Sequence, residues 1–160
     1  MSGMANPPMS LPWSIRVLRR LNPLVRTLLS SPAHGLLSHD LLVLSYRGRR
    51  TARQCVLPLS YVALGDRFYL CTRDSRWSAN FAAATPVELR LRGRRRHATA
   101  AVVPSASPEA LNAFRAFLSR NPRTGTLLYD VRPGDNGRPV ESDLAREVFR
   151  STVVALQLSA

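Results

Sequence analysis

The chain has 160 residues, 45% of them hydrophobic, and carries a formal charge of +13 from 23 basic and 10 acidic side chains. That length fits one domain able to bury about 70% of its unfolded surface, and the apolar content excludes wholesale disorder. No apolar run reaches the ~18 residues that span a bilayer, the first dozen residues lack the charged start and apolar core of a secretory signal, and two cysteines with three scattered histidines leave no metal-ligand spacing. The chain therefore reads as cytoplasmic, with no metal site. All 23 basic residues are arginine. Their planar forks suit phosphate and carboxylate partners.

Residues 1–11 are rich in Pro, Ser and Met and read as a loose segment before a single domain over 12–160. A helical stretch starts at Pro12, and Asn22-Pro23 caps and restarts it as a second short helix, so N-terminal helices occupy 12–31. Val17, Leu18 and Leu21 fall on one face and Arg16, Arg19 and Arg20 on the other. Such a helix either covers a barrel end or lies on an anionic membrane through residues 12–30. Strands are predicted over 40–46, 53–63, 67–73, 86–92, 95–103 and 152–158. The period-2 pattern of Val87, Leu89 and Leu91 against Glu88, Arg90 and Arg92 marks the fourth as half-buried. Pro58 cannot donate to a ladder, so its strand lies at an edge or bends there. A Gly65-Asp66 turn predicts Leu64 facing Arg67 and Cys71 facing Ser60, with Cys55 on the opposite side of the sheet. Both thiols then read as structural and unpaired. Helices are expected over 75–84, from Ser107-Pro108-Glu109 to Arg120, and over 142–149, with a loop at 130–141. Six strands interleaved with short helices point to a small, mainly β barrel with flanking helices.

Nine of the arginines lie in two seven-residue windows, 47–53 and 90–96. The second (Arg90, Arg92, Arg94, Arg95, Arg96) reads as a solvated turn or as a patch for phosphate backbones. No aromatic pattern suggests base stacking, so nucleic acid is not the main partner. The first window precedes a helix that opens at Ser75-Arg76. Arg49, Arg50 and Arg76 there can hold a phosphate, while Pro58, Leu59 and Trp77 flank a planar ring. Trp77 and Phe81, at i and i+4, also fit a plain core pair. No Ser–His–Asp arrangement has the spacing of a hydrolase, and paired carboxylates are scarce. A chain poor in catalytic side chains yet suited to a phosphorylated ring leaves the chemistry to a cofactor.

The order of these pieces resembles the deazaflavin-dependent nitroreductase family, a branch of the FMN-binding split-barrel, pyridoxamine-phosphate-oxidase-like superfamily. The resemblance runs over residues 23 to 103. It rests on Tyr46-Arg47-Gly48-Arg49-Arg50-Thr51-Ala52-Arg53 against T-G-R-K-S-G-x-x-R, on Leu57-Pro58-Leu59, and on Arg76-Trp77-Ser78-Ala79-Asn80-Phe81 against W-x-x-N-L. It implies a six-stranded split β-barrel, often a homodimer, that binds coenzyme F420, or FMN in related branches. Arg49, Arg50, Thr51 and Arg53 would lie at the phosphate tail with Arg76, and Pro58, Leu59, Trp77 and Asn80 at the ring. A small acceptor (quinone, nitroaromatic or activated alkene) would receive a hydride. Tyr129, Tyr61 and Tyr46 are candidate proton donors. The other outcome the resemblance allows is a non-catalytic barrel that binds FMN or haem. Two departures stand out: Thr51-Ala52 replaces the family's Ser-Gly, removing the glycine suited to a positive-φ turn, and the loop before Trp77 is short.

Overall fold

The computed structural model describes residues 41–73, 75–120 and 122–159. The expected helices over 12–31, and the membrane contact assigned to residues 12–30, lie outside them. Seven strands, β1 (Leu41–Arg47), β2 (Gln54–Ser60), β3 (Val62–Leu64), β4 (Arg67–Thr72), β5 (Thr85–Leu91), β6 (Arg94–Val103) and β7 (Thr152–Leu158), form one antiparallel sheet in the order β2-β1-β5-β6-β7-β4-β3. The two edge strands of that order, β2 and β3, are joined by a single residue, Tyr61. The sheet thus begins and ends on the same extended segment, and it curls into a half-barrel with β2 approaching β4.

The strand count departs from six because the predicted strand over 53–63 changes partner at Tyr61. Its first part pairs with β1 (Leu41 opposite Ser60, Arg47 opposite Gln54) and its second with β4 (Val62 opposite Tyr69, Leu64 opposite Arg67). Leu64 does face Arg67 across the Gly65-Asp66 turn, where Gly65 takes φ 60°. The expected Cys71–Ser60 pair does not form. Once the chain leaves at Tyr61, Cys71 pairs with Val153 of β7 instead. Pro58 sits on the edge strand β2, opposite Val43, where its missing donor costs little.

Alternation along the strands separates two cores. Leu42, Leu44 and Tyr46 of β1, Leu89 of β5, Ala100 of β6 and Leu156 of β7 point into the barrel, and Phe81 closes that cluster. The outer face of β3, β4 and β7 is covered by α2 (Pro108–Arg120), α3 (Pro122–Leu128) and α4 (Glu141–Val148). Helix α2 buries Ala110, Ala113, Phe114, Phe117 and Leu118, the i, i+3, i+4, i+7, i+8 stripe that its sequence spacing requires. The Ser107 Oγ accepts a hydrogen bond from the Ala110 N–H at 3.1 Å, the expected N-cap. Cys55 packs against the inner core and Cys71 against the outer one, and both are free thiols.

Two helical expectations change. The segment after β4 is one α-helical turn, α1 (Ser75–Ser78), followed by one 3₁₀ turn over Ala79–Phe81, and it stops short of 84. The residue before a proline avoids helical geometry, so Thr85-Pro86 ends the helix and opens β5. The Thr85 hydroxyl, 2.8 Å from the Ala83 carbonyl, secures that corner. Helix α3, with Pro122 at its first position, is additional to the helices expected from sequence.

Candidate functional site

The turn between β1 and β2 carries the first arginine window. Two backbone hydrogen bonds close it, from Gly48 N–H to the Arg53 carbonyl at 2.9 Å and from Ala52 N–H to the Gly48 carbonyl at 2.8 Å. Ala52 occupies the left-handed region at φ 54°. The positive-φ geometry is therefore kept although the glycine is not, at a cost of about 1–2 kcal/mol for an L residue. Arg47, Arg49, Arg50, Thr51 and Arg53 are all exposed. None of these four guanidiniums pairs with a carboxylate among the described residues.

A side chain from the next element holds this turn. Asn80 Oδ1 accepts a hydrogen bond from the Arg49 backbone N–H at 2.8 Å, and Asn80 Nδ2 donates to the Trp77 carbonyl at 2.8 Å. Asn80 therefore spends its amide bracketing the turn to the helical corner, a positioning role, whereas the sequence expectation placed it on the ring. The corner itself is fixed by aromatic edge contacts: Tyr46 to Phe81 at 5.0 Å and Phe81 to Trp77 at 6.0 Å between ring centroids. The i, i+4 spacing of Trp77 and Phe81 was visible in the sequence, but the place of Tyr46 in the ladder required the fold. Arg76 is exposed on α1. Because α1 is a single turn, its N-terminus is a weak dipole, and the anionic affinity of this end belongs to the guanidiniums.

The ring-flanking residues divide between the two faces of the sheet. Leu59, like Leu57, Cys55 and Trp77, packs against the barrel interior. Pro58, one residue away, faces outward with its partner Val43. Leu59 thus lies on the interior face near the start of β1, away from the Trp77 corner, and Pro58 lies on the other face.

The tyrosine candidates also separate. Tyr61 and Tyr46 belong to the inner core, with Tyr61 edge-on to Phe68 at 5.6 Å. Tyr129 lies in the helix-covered core, between Phe114 and Phe117, and its hydroxyl donates to the Cys71 carbonyl at 3.0 Å. Burial drives its phenol, like the Cys71 thiol, well above the usual range. The structure therefore brings Arg49, Arg50, Thr51, Arg53, Asn80 and Trp77 to one end of the barrel, leaves Leu59, opposite Leu42, toward the other end, and keeps Tyr129 in the helix-covered core.

The second arginine window is at the other end. β5 and β6 meet through Arg92-Gly93, with Leu91 opposite Arg94, whereas the first window follows Arg47, the far end of β1. The two turns are separated by the length of β1, about 20 Å at strand rise.

Solved structures share this architecture at low identity. A structure described as a domain-swapped dimer has a TM-score of 0.54 at 12% identity, covering 90% of this chain and 99% of that one. HutZ, the haem storage protein of Vibrio cholerae, has 0.51 at 13% identity, covering 95% and 92%. A conserved hypothetical protein of Mycobacterium tuberculosis has 0.50 at 15% identity, covering 81% of each chain. These likenesses establish the split-barrel fold alone. No curated protein matches the chain. The family model of F420H(2)-dependent quinone reductases matches residues 18–135, a span that includes the arginine turn, the Asn80 bracket and the whole of β1 to β6, and the chain accordingly belongs to the F420H(2)-dependent quinone reductase family, oxidoreductases whose cofactor is F420.

Proposed function

We propose that the protein reduces a small electrophilic acceptor, a quinone before a nitroaromatic or an activated alkene, and that the Gly48–Arg53 turn holds the anionic part of F420. One observation carries this placement: four exposed guanidiniums without a described carboxylate partner, on a turn whose Arg49 backbone is clamped by Asn80. Unpaired arginines suit a phosphate-bearing tail chemically, since each bidentate contact is charge-assisted. Bound reduced F420 would supply the hydride. The chain's own residues do the rest: Arg49, Arg50 and Arg53 bind the tail with Thr51, Trp77 offers an apolar face that excludes water, and Asn80 keeps the two in register. Reducing a quinone also consumes a proton. Tyr61, an inner-core side chain at the junction of β2 and β3, is the donor this reading assigns. FMN offers a similar phosphate and ring and is the alternative ligand. We also expect a homodimer, which light scattering at twice the chain mass would verify.

The test is oxidation of reduced F420 by a panel of quinones, followed through the return of the deazaflavin absorbance. Arg49→Ala/Arg50→Ala should raise the KM for F420 at least tenfold, given about 1.5–3 kcal/mol per lost charge-assisted contact, with a smaller effect on kcat. Tyr61→Phe should lower kcat and leave F420 affinity unchanged. Binding without turnover by any acceptor would favour a storage role, and absence of F420 binding would end the reading. Haem binding, suggested by the likeness to HutZ, has less support here. His97, the one described histidine, lies on β6 near the opposite end of the barrel, and a haem titration without a Soret shift would remove it.

A further inference from the structure

We propose that the β5–β6 hairpin is a docking finger for an anionic lipid surface, separate from the cofactor turn. The hairpin projects. β6 starts at Arg94, but its pairing with β7 begins only at Ala98 opposite Leu158, so Arg94 to Arg96 run past the end of β7 by about 10 Å. On the other side, β5 pairs with β1 up to Arg90 opposite Val43, and β1 itself runs on to Leu41, so the overhang is past β7 alone. The tip is a two-residue turn with both residues at positive φ, Arg92 at 48° and Gly93 at 76°. Such turns favour Asn-Gly or Gly-Gly, yet here an arginine is held in a backbone region that side chains avoid.

Charge is distributed around the finger. Arg94 pairs with Leu91 and Arg96 with Leu89, which puts these two guanidiniums on the face that continues the barrel interior. Arg95 pairs with Arg90 on the opposite face, and Arg92 occupies the tip. Glu88, 3.8 Å from Arg95, is the one carboxylate within reach among the described residues. Arg92, Arg94 and Arg96 are exposed and have no described ion pair. At the same end, the β3–β4 turn presents Leu64, 37% exposed.

These features favour a bilayer over a nucleic acid. Residues 85–103 contain no Phe, Tyr or Trp on which successive bases could stack, and His97 is the one ring there. A broad anionic surface, by contrast, can be met at once by guanidiniums at a tip and on both faces, with the exposed Leu64 side chain at the same end. The argument rests on the quinone reading in one respect: quinones with apolar tails dissolve in membranes, so an enzyme held at the surface meets its acceptor there.

The experiment is co-sedimentation of the full-length chain with phosphatidylcholine vesicles, with and without phosphatidylglycerol. Binding should require the anionic lipid and fall as salt shortens the Debye length. Arg92→Ala/Arg94→Ala/Arg96→Ala should lower the partition coefficient by roughly a hundredfold, while the corresponding Arg→Lys triple variant stays within a few-fold of wild type. F420 affinity without vesicles should be unchanged in the alanine variant, which also shows that it is folded. Arg94→Glu alone should give an intermediate loss. Equal binding to neutral vesicles, undiminished binding by the alanine variant, or displacement from vesicles by a short duplex RNA at the same ionic strength would each overturn the proposal. Loss of vesicle binding in a protein that never binds F420 would leave the finger standing and remove only the argument about the acceptor.

Discussion

Four arginines crowd the turn after β1 and five lie in the window around the β5–β6 hairpin, and each turn places one side-chain-bearing residue at positive φ, Ala52 at 54° and Arg92 at 48°. The first turn is tied to a second element through Asn80, which grips the Arg49 N–H and the Trp77 carbonyl. Among the described residues the hairpin has no comparable bracket, and it extends beyond β7. A third group of arginines shows what structural pairing looks like in this chain. Arg132 and Arg146 both bind Asp143, Arg115 grips Glu141 through two nitrogens, and Arg73 joins Glu147 to Asp130. Most of the paired acids thus lie on the helical half, and apart from the loose Arg95–Glu88 contact the arginines of the two turns have no ion pair among the described residues. The lesson is that arginine content alone does not mark a site. An unpaired arginine on a clamped turn suits one ligand held in a fixed pose, whereas an unpaired arginine on a projecting hairpin suits an extended partner.

Removing the clamp should produce the largest change in stability. Asn80→Ala leaves the Arg49 N–H and the Trp77 carbonyl without their protein partner, so thermal or urea unfolding should show a loss of about 1–2 kcal/mol. F420 affinity should fall with it, while vesicle binding stays unchanged. If F420 affinity does not move, the clamp is not what distinguishes the turns. Tyr129→Phe is the control on the helix-covered core. Losing the bond to the Cys71 carbonyl should cost about 1 kcal/mol, with F420 affinity and turnover intact, and a large fall in kcat would return Tyr129 to the site. The smallest effects concern the strained residues. Relief of left-handed strain, offset by the greater backbone entropy of glycine, should make Ala52→Gly and Arg92→Gly more stable by about 0.5–1 kcal/mol each. Only Arg92→Gly should weaken vesicle binding.

The paired arginines predict the acid behaviour. Hydrogen bonds from the Arg132 side chain and backbone, with Arg146, hold the Asp143 carboxyl well below its ordinary value, and Arg115 lowers Glu141 in the same way. A carboxylate whose pKa is depressed on folding stabilises the native state above its unfolded value, near 3.9 for aspartate, and that contribution disappears as pH falls below it. Urea midpoints should therefore drop steeply below about pH 4. Asp143→Asn should be less stable at neutral pH and show a shallower acid slope.

Much of the fold was legible because it depended on local patterning. The Val87–Leu91 alternation, the Ser107-Pro108 start of α2 and the Gly65-Asp66 turn each specify their element within a few residues. The switch of partner at Tyr61 was not legible, since nothing in Ser60-Tyr61-Val62 distinguishes a strand that leaves one neighbour for another. The same long-range step cancelled the expected Cys71–Ser60 pair. In the site, the arginine window could be read directly, but the bond of Asn80 to the Arg49 backbone could not, because it spans 31 residues. Pro58 and Leu59 read as one flank until strand alternation placed them on opposite faces. The bond of Tyr129 to the Cys71 carbonyl, a backbone group 58 residues away, was not legible either.

The central claim is that the two arginine turns serve different ligands. Its most direct test is a titration of F420 into Arg49→Ala/Arg50→Ala and into Arg92→Ala/Arg94→Ala/Arg96→Ala, monitored by deazaflavin fluorescence. The account predicts at least a tenfold loss of affinity in the first and wild-type affinity in the second. Equal losses in both variants, or a loss confined to the hairpin variant, would contradict it.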